Sequence, residues 1–236
     1  MENPKNCVIS GGTNGVGLAT AIRFAKQGGQ VAICGRDQDR LNKAKSEIAT
    51  FSSPDHIHTF VADLNCSAEA RSFVEGAIAE MSQVDVFVNN ASMAPCAPLD
   101  EMSDEAIESC INVNVKSVYY ATRSIWEHMK SQDGGIIVNL SSTAAVDPFP
   151  GFSLYGATKA WIELFTTALA NEGREHNIRC YAIRPGAVET AMLRGLFADF
   201  PAEQCVSPDD VAALIEVACG QGMVYSSGQT IKVSLQ

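Results

Sequence analysis

The sequence has little positive charge relative to its acids, and it has no long apolar run. Among 236 residues there are 17 Lys and Arg against 27 Asp and Glu, which gives a formal net charge of −10 at pH 7. Because nucleic acids and anionic membranes bind through clusters of positive charge, this balance argues against both as partners. No stretch of about 18 uninterrupted apolar residues is present, so no membrane-spanning helix is expected.

Signals for export, disulfides and metals are also lacking. The segment from Met1 to Asn6 has no basic region followed by an apolar one, so no signal peptide is expected. The eight cysteines contain no Cys-x-x-Cys spacing, and several, such as Cys34, lie inside apolar runs where a thiol packs as a small hydrophobe. Free cysteines of this kind predict a reducing, cytoplasmic compartment. His56 and His58 could pair on a metal, but no third ligand stands nearby, so we expect no metal site.

What the sequence does have is an alternation of short apolar runs with longer amphipathic stretches. The runs are Cys7–Ser10, Gln30–Cys34, Ile57–Val61, Val84–Val88, Gly135–Leu140, Ile178–Ile183 and Thr230–Val233. The helical patterns lie near 15–27, 38–49, 67–81, 103–130, 153–175 and 208–219. This alternation is typical of a parallel sheet covered by helices on both faces. We therefore expect a three-layer α/β/α sandwich with a seven-stranded parallel sheet, in one domain spanning residues 1–236.

A glycine-rich loop follows the first apolar run. Gly11, Gly15 and Gly17 give the pattern Gly-x-x-x-Gly-x-Gly before an amphipathic helix. Gly11 permits a tight turn, and the later glycines let the backbone approach a pyrophosphate at the helix N-terminus. A plain structural turn would also place glycines here. The position at the first strand–helix turn nevertheless favours dinucleotide binding and a Rossmann-type fold.

Further motifs follow this loop in order along the chain. They are Asp63 after the third run, Asn89-Asn90-Ala91-Ser92 after the fourth, Asn114 in a helix, Ser142 after the fifth, the pair Tyr155 and Lys159, and Pro185-Gly186-Ala187-Val188-Glu189-Thr190 after the sixth. Together they resemble the short-chain dehydrogenase/reductase family over almost the entire length, from Gly11 to about Gly228. One departure is Ser92, which stands where the family has glycine. Another is the tail Lys232–Gln236, where many relatives have a glycine pair.

The resemblance implies two sets of site residues. The catalytic set would be Ser142, Tyr155, Lys159 and Asn114. The cofactor-binding set would be Gly11, Thr13, Asn14, Gly15, Val16, Gly17, Arg36, Asp63, Leu64, Asn90, Ala91, Ser92, Tyr155, Lys159, Pro185, Gly186, Val188 and Thr190. By the same resemblance, Asp63 would lie near the adenine ring, Lys159 would bond the nicotinamide ribose, and Asn114 would help to position a proton-relaying water.

The pair Tyr155 and Lys159 suits hydride chemistry. Four residues apart, the two side chains share one face of a helix. A nearby ammonium and the charge of oxidised nicotinamide would favour the phenolate, which lowers the tyrosine pKa from its usual value near 10. Tyr155 could then act as general acid in reduction and general base in oxidation, while the Ser142 hydroxyl holds the substrate oxygen. Without the other motifs, the pair would be interpreted as two exposed residues on a helix.

The end of the second strand carries the signal for cofactor choice. Enzymes that choose NAD place an acid there, which bonds the ribose hydroxyls and repels a 2′-phosphate. Gly35 holds that place, and Arg36 follows with a guanidinium that can grip a phosphate by two hydrogen bonds. Arg36 could instead be a solvated loop charge. Asp37 lies past the strand end and is better placed to cap the next helix. We expect NADP(H) to be preferred, with NAD(H) as the alternative.

The substrate is expected to be a small, apolar carbonyl compound or alcohol. The predicted pocket walls are Ser92–Pro98, Thr143–Leu154 and the segment after Thr190, and their apolar side chains are Met93, Phe149, Phe152, Met192, Leu193, Leu196 and Phe197. About half of these would also suit ordinary packing. A serine hydrolase is excluded because Ser142 has no flanking glycines of a nucleophile elbow. The alternative function is a cofactor-binding regulator without turnover, which the intact catalytic set disfavours.

The sequence also bears on assembly. The helices predicted near 103–130 and 153–175 carry more apolar residues than one sheet face needs, among them Trp126, Trp161, Phe165 and Leu169. The resemblance implies that such helices pair across two-fold axes into a homodimer or homotetramer. Burial of these side chains within the monomer is the alternative.

Overall fold

The computed structural model describes residues 5–235, and its centre is one seven-stranded sheet. The strands are β1 Cys7–Ile9, β2 Val31–Gly35, β3 Ile57–Val61, β4 Val86–Asn89, β5 Gly135–Leu140, β6 Ile178–Pro185 and β7 Thr230–Val233. Their order is β3-β2-β1-β4-β5-β6-β7, with parallel pairing throughout. The predicted fold class is confirmed. Residues 1–4 and 236, the ends of the predicted domain, lie outside the described residues. Most of the segment from Met1 to Asn6, where no signal peptide is expected, lies outside them as well.

Helices occupy both faces of the sheet. They are α1 Gly15–Lys26, α2 Gln38–Ile48, α3 Ser67–Met81, α4 Asp104–Ile111, α5 Ser117–Ser131, α6 Ser153–Gly173, α7 Ala191–Leu196 and α8 Pro208–Ala218. Single-turn 3₁₀ segments lie at 54–56, 143–145, 174–176 and 202–204, and a longer one lies at 221–226. Within residues 5–235, no helix combines the length and the apolar character needed to cross a membrane.

Two features differ from the sequence prediction. The single helix predicted at 103–130 is instead α4 and α5, joined by a π-helical turn at Asn112–Lys116, in which the backbone N–H of Ser117 donates to the carbonyl of Asn112. Such turns insert a residue into a helix and are frequent at functional sites. The second difference is α7, in a segment for which no helix was predicted. Thr190 begins it, because its hydroxyl accepts from the backbone N–H of Leu193 at 3.3 Å.

Alternating residues of the strands point into two separate apolar clusters. In β1, Ile9 lies in the cluster beneath α1, α2 and α8, and Val8 lies in the cluster beneath α3, α5 and α6. Both side chains are fully buried. Because strands covered on both faces need apolar residues at every position, the near-continuous apolar runs in the sequence are explained.

The strand order places the functional segments at one edge. From β1 the chain turns to β2 and β3 on one side, and it then returns to β4 on the other side. Ligands of open α/β sheets bind at the carboxyl ends of the strands, beside such a reversal. The glycine loop follows β1 directly at this edge.

Candidate active site

A cleft of about 1460 Å³ lies along the carboxyl edge of the sheet. Of the site residues implied by the sequence, all but Gly17 and Asn114 line it. The cleft runs from the loops after β1, β2 and β3 to the loops after β4, β5 and β6, so residues far apart in sequence meet there. All seven apolar wall residues named from the sequence line it as well.

The backbone of the glycine loop can approach a ligand closely. Gly11 and Gly15 have φ of 70° and 54°, which side chains disfavour. A Cβ on Gly17 would lie 2.3 Å from the carbonyl oxygen of Gly11, so this glycine lets α1 pack on the loop from behind the cleft. The Asn90 amide fastens the loop to β4 by donating to the carbonyls of Ser10 and Gly11 at 3.0 and 2.9 Å. The loop therefore suits a pyrophosphate at the start of α1.

The end of β2 leaves little room for a side chain, and two arginines follow it. A Cβ on Gly35 would lie 2.6 Å from Cγ2 of Thr13, so an acid does not fit there without movement. Asp37 caps α2 as predicted, because its Oδ1 accepts from the backbone N–H of Arg40 at 2.9 Å. Arg36 and Arg40 are exposed and both line the cleft. Arg40 was not among the site residues predicted from the sequence, although it follows Arg36 by only four residues.

Ser142, Tyr155 and Lys159 meet at the other end of the cleft. Ser142 follows β5, where its hydroxyl accepts from the backbone N–H of Ala144 at 3.2 Å. Tyr155 and Lys159 lie one turn apart on α6, with the ammonium 5.6 Å from the centre of the phenol ring. The Lys159 side chain is buried, and its Nζ donates to the carbonyl of Leu140 at 2.8 Å. This bond fixes the ammonium against the end of β5.

The pKa values of this pair are set mainly by burial. Burial lowers the pKa of Lys159 to about 8, since an ammonium loses its hydration there. Burial raises the pKa of Tyr155, while the nearby hydroxyls of Ser142 and Ser92 act to lower it. The net direction for Tyr155 in the protein alone is upward, because the loss of phenolate hydration outweighs the effect of the two hydroxyls. The lowered value expected from the sequence included the charge of oxidised nicotinamide, and it stays a prediction.

Asn114 is fully buried and fastens the loop after β4. Its amide nitrogen donates to the carbonyl of Met93 at 2.8 Å and to the hydroxyl of Thr158 at 3.0 Å. Its Oδ1 accepts from the backbone N–H of Met93 at 2.8 Å and from the hydroxyl of Ser92 at 3.2 Å. The residue lies in the π-helical turn. Its side chain thus joins β4 to α6, and the water-positioning role stays a prediction.

Aromatic rings line the Tyr155 end of the cleft. Phe152 lies 5.4 Å from the Tyr155 ring and 5.9 Å from the Phe197 ring, measured between centroids. Phe149 packs against both phenylalanines at 6.2 and 6.3 Å. These contacts connect the start of α6 to the segment that follows α7, and they give the cleft an apolar wall beside Tyr155.

The guanidinium of Arg194, in the same region, is held by hydrogen bonds to neighbouring residues. Its Nε donates to Oε1 of Glu189 at 2.7 Å, and its Nη1 donates to the carbonyl of Ala198 at 3.1 Å. It therefore ties α7 to the loops on either side instead of pointing a free charge at a substrate.

The histidines and cysteines show no metal or disulfide arrangement in the described part of the chain. Among residues 5–235, no group of three His, Cys, Asp or Glu side chains could hold a metal ion. His58 instead makes a 3.0 Å hydrogen bond with the side chain of Gln30. The eight cysteines are free.

A doubly covered parallel sheet with a glycine-rich loop beside its chain reversal is the architecture of dinucleotide-binding Rossmann folds. The comparisons with known proteins agree. The model of the family described as short chain dehydrogenase matches residues 5–200. The chain is 30% identical to the 3-oxoacyl-[acyl-carrier-protein] reductase of Thermotoga maritima over 237 residues, which cover 97% of this chain and 96% of that protein.

Solved structures give the same result. The structure of 3-ketoacyl-(acyl-carrier-protein) reductase from Brucella melitensis complexed with NADH is 30% identical, with a TM-score of 0.89 over 99% of this chain and 98% of that one. A short chain dehydrogenase from Burkholderia cenocepacia in complex with NADP is 28% identical, with a TM-score of 0.89 over 98% and 97%. The chain belongs to the short-chain dehydrogenase/reductase family, so the predicted family and enzyme class are confirmed.

Proposed function

We propose that this protein interconverts a carbonyl and an alcohol on a small, uncharged, largely apolar substrate, with NADP(H) as the preferred cofactor. One observation carries the proposal. A single cleft has Arg36 and Arg40 at one end and Ser142, Tyr155 and Lys159 at the other, with the glycine loop between them. Similar proteins bind NADH or NADP, so the family alone does not decide the cofactor.

The residues present fit a dinucleotide. Gly11 and Gly15, both at positive φ, leave room for a pyrophosphate, and the two arginines supply charge for a 2′-phosphate. Gly35 stands where NAD-selective enzymes have an acid, and a Cβ at this position would lie 2.6 Å from Cγ2 of Thr13. When bound, the nicotinamide ring supplies or accepts the hydride.

The protein's own residues handle the proton. In reduction, the Tyr155 hydroxyl donates its proton to the substrate oxygen, and in oxidation the phenolate takes it back. The Ser142 hydroxyl holds the same oxygen beside the phenol. The Lys159 ammonium, fixed by Leu140, places a positive charge beside the ring on which the negative charge develops.

The cleft walls select the substrate class. Aromatic and aliphatic side chains from the start of α6 and from α7 surround the space next to Tyr155. Among the described residues of this wall, Arg194 is occupied by Glu189, so a carboxylate or phosphate on the substrate would meet no free cation there. An apolar ketone or the corresponding alcohol fits these contacts.

The test is a panel of ketones and alcohols assayed with both nicotinamide cofactors, together with cofactor dissociation constants. Arg36→Ala should weaken NADPH binding about tenfold to a hundredfold and spare NADH, because a charged hydrogen bond contributes roughly 1.5–3 kcal/mol. Arg174→Ala, at an exposed arginine beyond α6, is the matched control and should change neither. Equal dissociation constants in the wild type would overturn the NADP(H) preference. Cofactor binding without turnover of any compound on the panel would favour the alternative function, a cofactor-binding regulator.

We also propose a homodimer or homotetramer that uses the outer faces of α5 and α6. Trp161 stacks on Phe165 at 4.6 Å, Tyr119 lies 5.5 Å from Phe165, and Leu164 beside them is 73% exposed. Of the residues named from the sequence, Leu169 is instead buried, and Trp126 and Phe165 are partly buried and pack against the core of the monomer. Light scattering that gave the monomer mass, 25.2 kDa, at micromolar concentration would overturn this proposal.

A further inference from the structure

An ion pair between Glu163 and Arg184 lies beside the catalytic end of the cleft, and the proposed mechanism does not use it. Arg184 donates from Nε to Oε1 of Glu163 at 2.8 Å and from Nη2 to Oε2. The two side chains are only 15% and 23% exposed, and neither residue lines the cleft. Replacing a buried ion pair with apolar side chains is often neutral or stabilising, so stability alone is a weak reason for this pair.

The hydroxyl of Ser141 joins the ion pair. Its Oγ donates to the same Oε1 of Glu163 at 2.6 Å. The carbonyl of Lys159 is a second acceptor, but at 3.3 Å. Because a hydroxyl has one proton to donate, the short bond to the charged carboxylate is the stronger of the two. Ser141 is 3% exposed, so water does not compete for its hydroxyl.

The three side chains come from three elements of the active site. Glu163 lies on α6, one turn beyond Lys159. Ser141 follows β5 and directly precedes Ser142. Arg184 lies near the end of β6. The Glu163 carboxylate therefore fixes α6, which carries the proton donor, to the segment that carries the hydroxyl for the substrate oxygen.

The bond at Ser141 restricts the position of Ser142. The backbone of Ser142 is extended, with φ of −160° and ψ of 156°, and the peptide bond before it is planar. Once the Ser141 side chain is fixed on Glu163, little rotation is left for the peptide that leads into Ser142. The Ser142 hydroxyl accepts from the backbone N–H of Ala144 at 3.2 Å, so the state of this amide reports where the hydroxyl lies.

We propose that Glu163 is a positioning residue that acts through Ser141 to hold the Ser142 hydroxyl where the substrate oxygen binds. Arg184 orients the carboxylate for this task. The proposal rests on the proposed function, which gives the substrate oxygen to Ser142. A misplaced hydroxyl would stabilise the charge that develops on this oxygen less well, so kcat would fall while KM, set by the apolar walls, would change little.

The experiment uses two variants that break the link at different points. Ser141→Ala removes the hydroxyl and keeps the ion pair, and Glu163→Gln removes the charge and one acceptor oxygen. We expect each to lower kcat about tenfold, with KM and the NADPH dissociation constant within about twofold of the wild type. Glu216→Gln is the matched control and should change nothing, because Glu216 pairs with Arg23 at 2.7 Å and lies outside the cleft. If Glu163→Gln failed to fold, Ser141→Ala would decide the question alone.

The same two changes made in a Ser142→Ala background test the route. Residues that act as a unit have non-additive effects, so each change should lower the remaining kcat by less than about twofold there. A further tenfold loss would show that Glu163 acts independently of Ser142 and would overturn the proposal. Wild-type kcat in Ser141→Ala would overturn it as well.

Amide hydrogen exchange gives a readout that needs no turnover. Exchange of the Ala144 N–H should become at least about fivefold faster in both variants, because the hydroxyl that accepts it is no longer fixed. The Asn90 N–H, which donates to the Ser10 hydroxyl at 3.0 Å after β4, should exchange as in the wild type. Equal acceleration of both amides, or of neither, would overturn the proposal. If the wild type turned over no substrate of the panel, the proposed function would fail, and exchange would still decide whether Glu163 fixes Ser142.

Discussion

Replacing Lys159 with Met measures how much the buried ammonium of this residue destabilises the folded protein. The side chain is 2% exposed, and its Nζ is bound to the Leu140 carbonyl instead of a carboxylate. Its pKa falls from the ordinary 10.5 to about 8. Each unit corresponds to about 1.4 kcal/mol, so the buried charge destabilises the folded state by about 3 kcal/mol at neutral pH.

The sign of the pH dependence follows from proton counts. Between about pH 8 and pH 10.5, the unfolded chain still binds the lysine proton while the folded protein has released it. Stability therefore rises with pH in this window, by about 2–3 kcal/mol between pH 7 and pH 10. Methionine does not titrate, so Lys159→Met lacks this gain. The bond lost at Leu140 shifts the variant by a constant amount and cancels when slopes are compared.

The assay is urea unfolding of the wild type and Lys159→Met at several pH values from 7 to 10. We expect the difference between their free energies of unfolding to change by about 2–3 kcal/mol across the series, in favour of the wild type at high pH. Other titrating groups are shared by both proteins, so their contributions cancel in the difference between the two free energies of unfolding. Parallel curves would refute the reasoning, because they would mean that Lys159 has the same pKa folded and unfolded.

Three further changes test other parts of the site. Tyr155→Phe keeps the ring and removes the proton donor, so kcat should fall at least about a hundredfold with Tm and NADPH binding unchanged; retention of a tenth of the activity would exclude Tyr155 as the acid. Gly35→Asp should destabilise the protein by about 1–3 kcal/mol in urea unfolding, because its Cβ overlaps Thr13. Adding Thr13→Ala should restore most of that loss, and no recovery would place the strain elsewhere. Leu164→Glu puts a charge on the exposed face of α6, so light scattering should show a smaller assembly, and an unchanged mass would move the interface to another surface.

The sheet could be predicted from the sequence because its strands are short and mostly apolar. The bounds of β3, β5 and β7 match the predicted runs, and those of the others differ by one or two residues. The start of β4 shows the reason for such differences. Val84 is as fully buried as the strand that follows, although β4 begins only at Val86. Apolarity reports burial, and it does not show where pairing in the sheet begins.

Only those parts of the site that depend on local sequence motifs could be predicted. Glycines, the Asp37 cap and the spacing of Tyr155 and Lys159 are local, and the structure places them as expected. The upward direction of the Tyr155 pKa depends on burial, which no motif reports. The bond between Ser92 and Asn114 joins residues 22 apart that meet only because β4 ends beneath the π-helical turn.

The position of β1 has a consequence for synthesis of the protein. This three-residue strand pairs with β2 on one edge and with β4 on the other, and about fifty residues separate the end of β2 from the start of β4. Until β4 has been synthesised, a sheet formed by β3, β2 and β1 would end at β1, and the edge of this apolar strand would stay unpaired. Unpaired edges of this kind attract other chains. Closure of that edge by β4 is also the event that brings Asn90 onto the glycine loop. Pairing of β4 with β1 thus covers the open edge and also fastens the glycine loop.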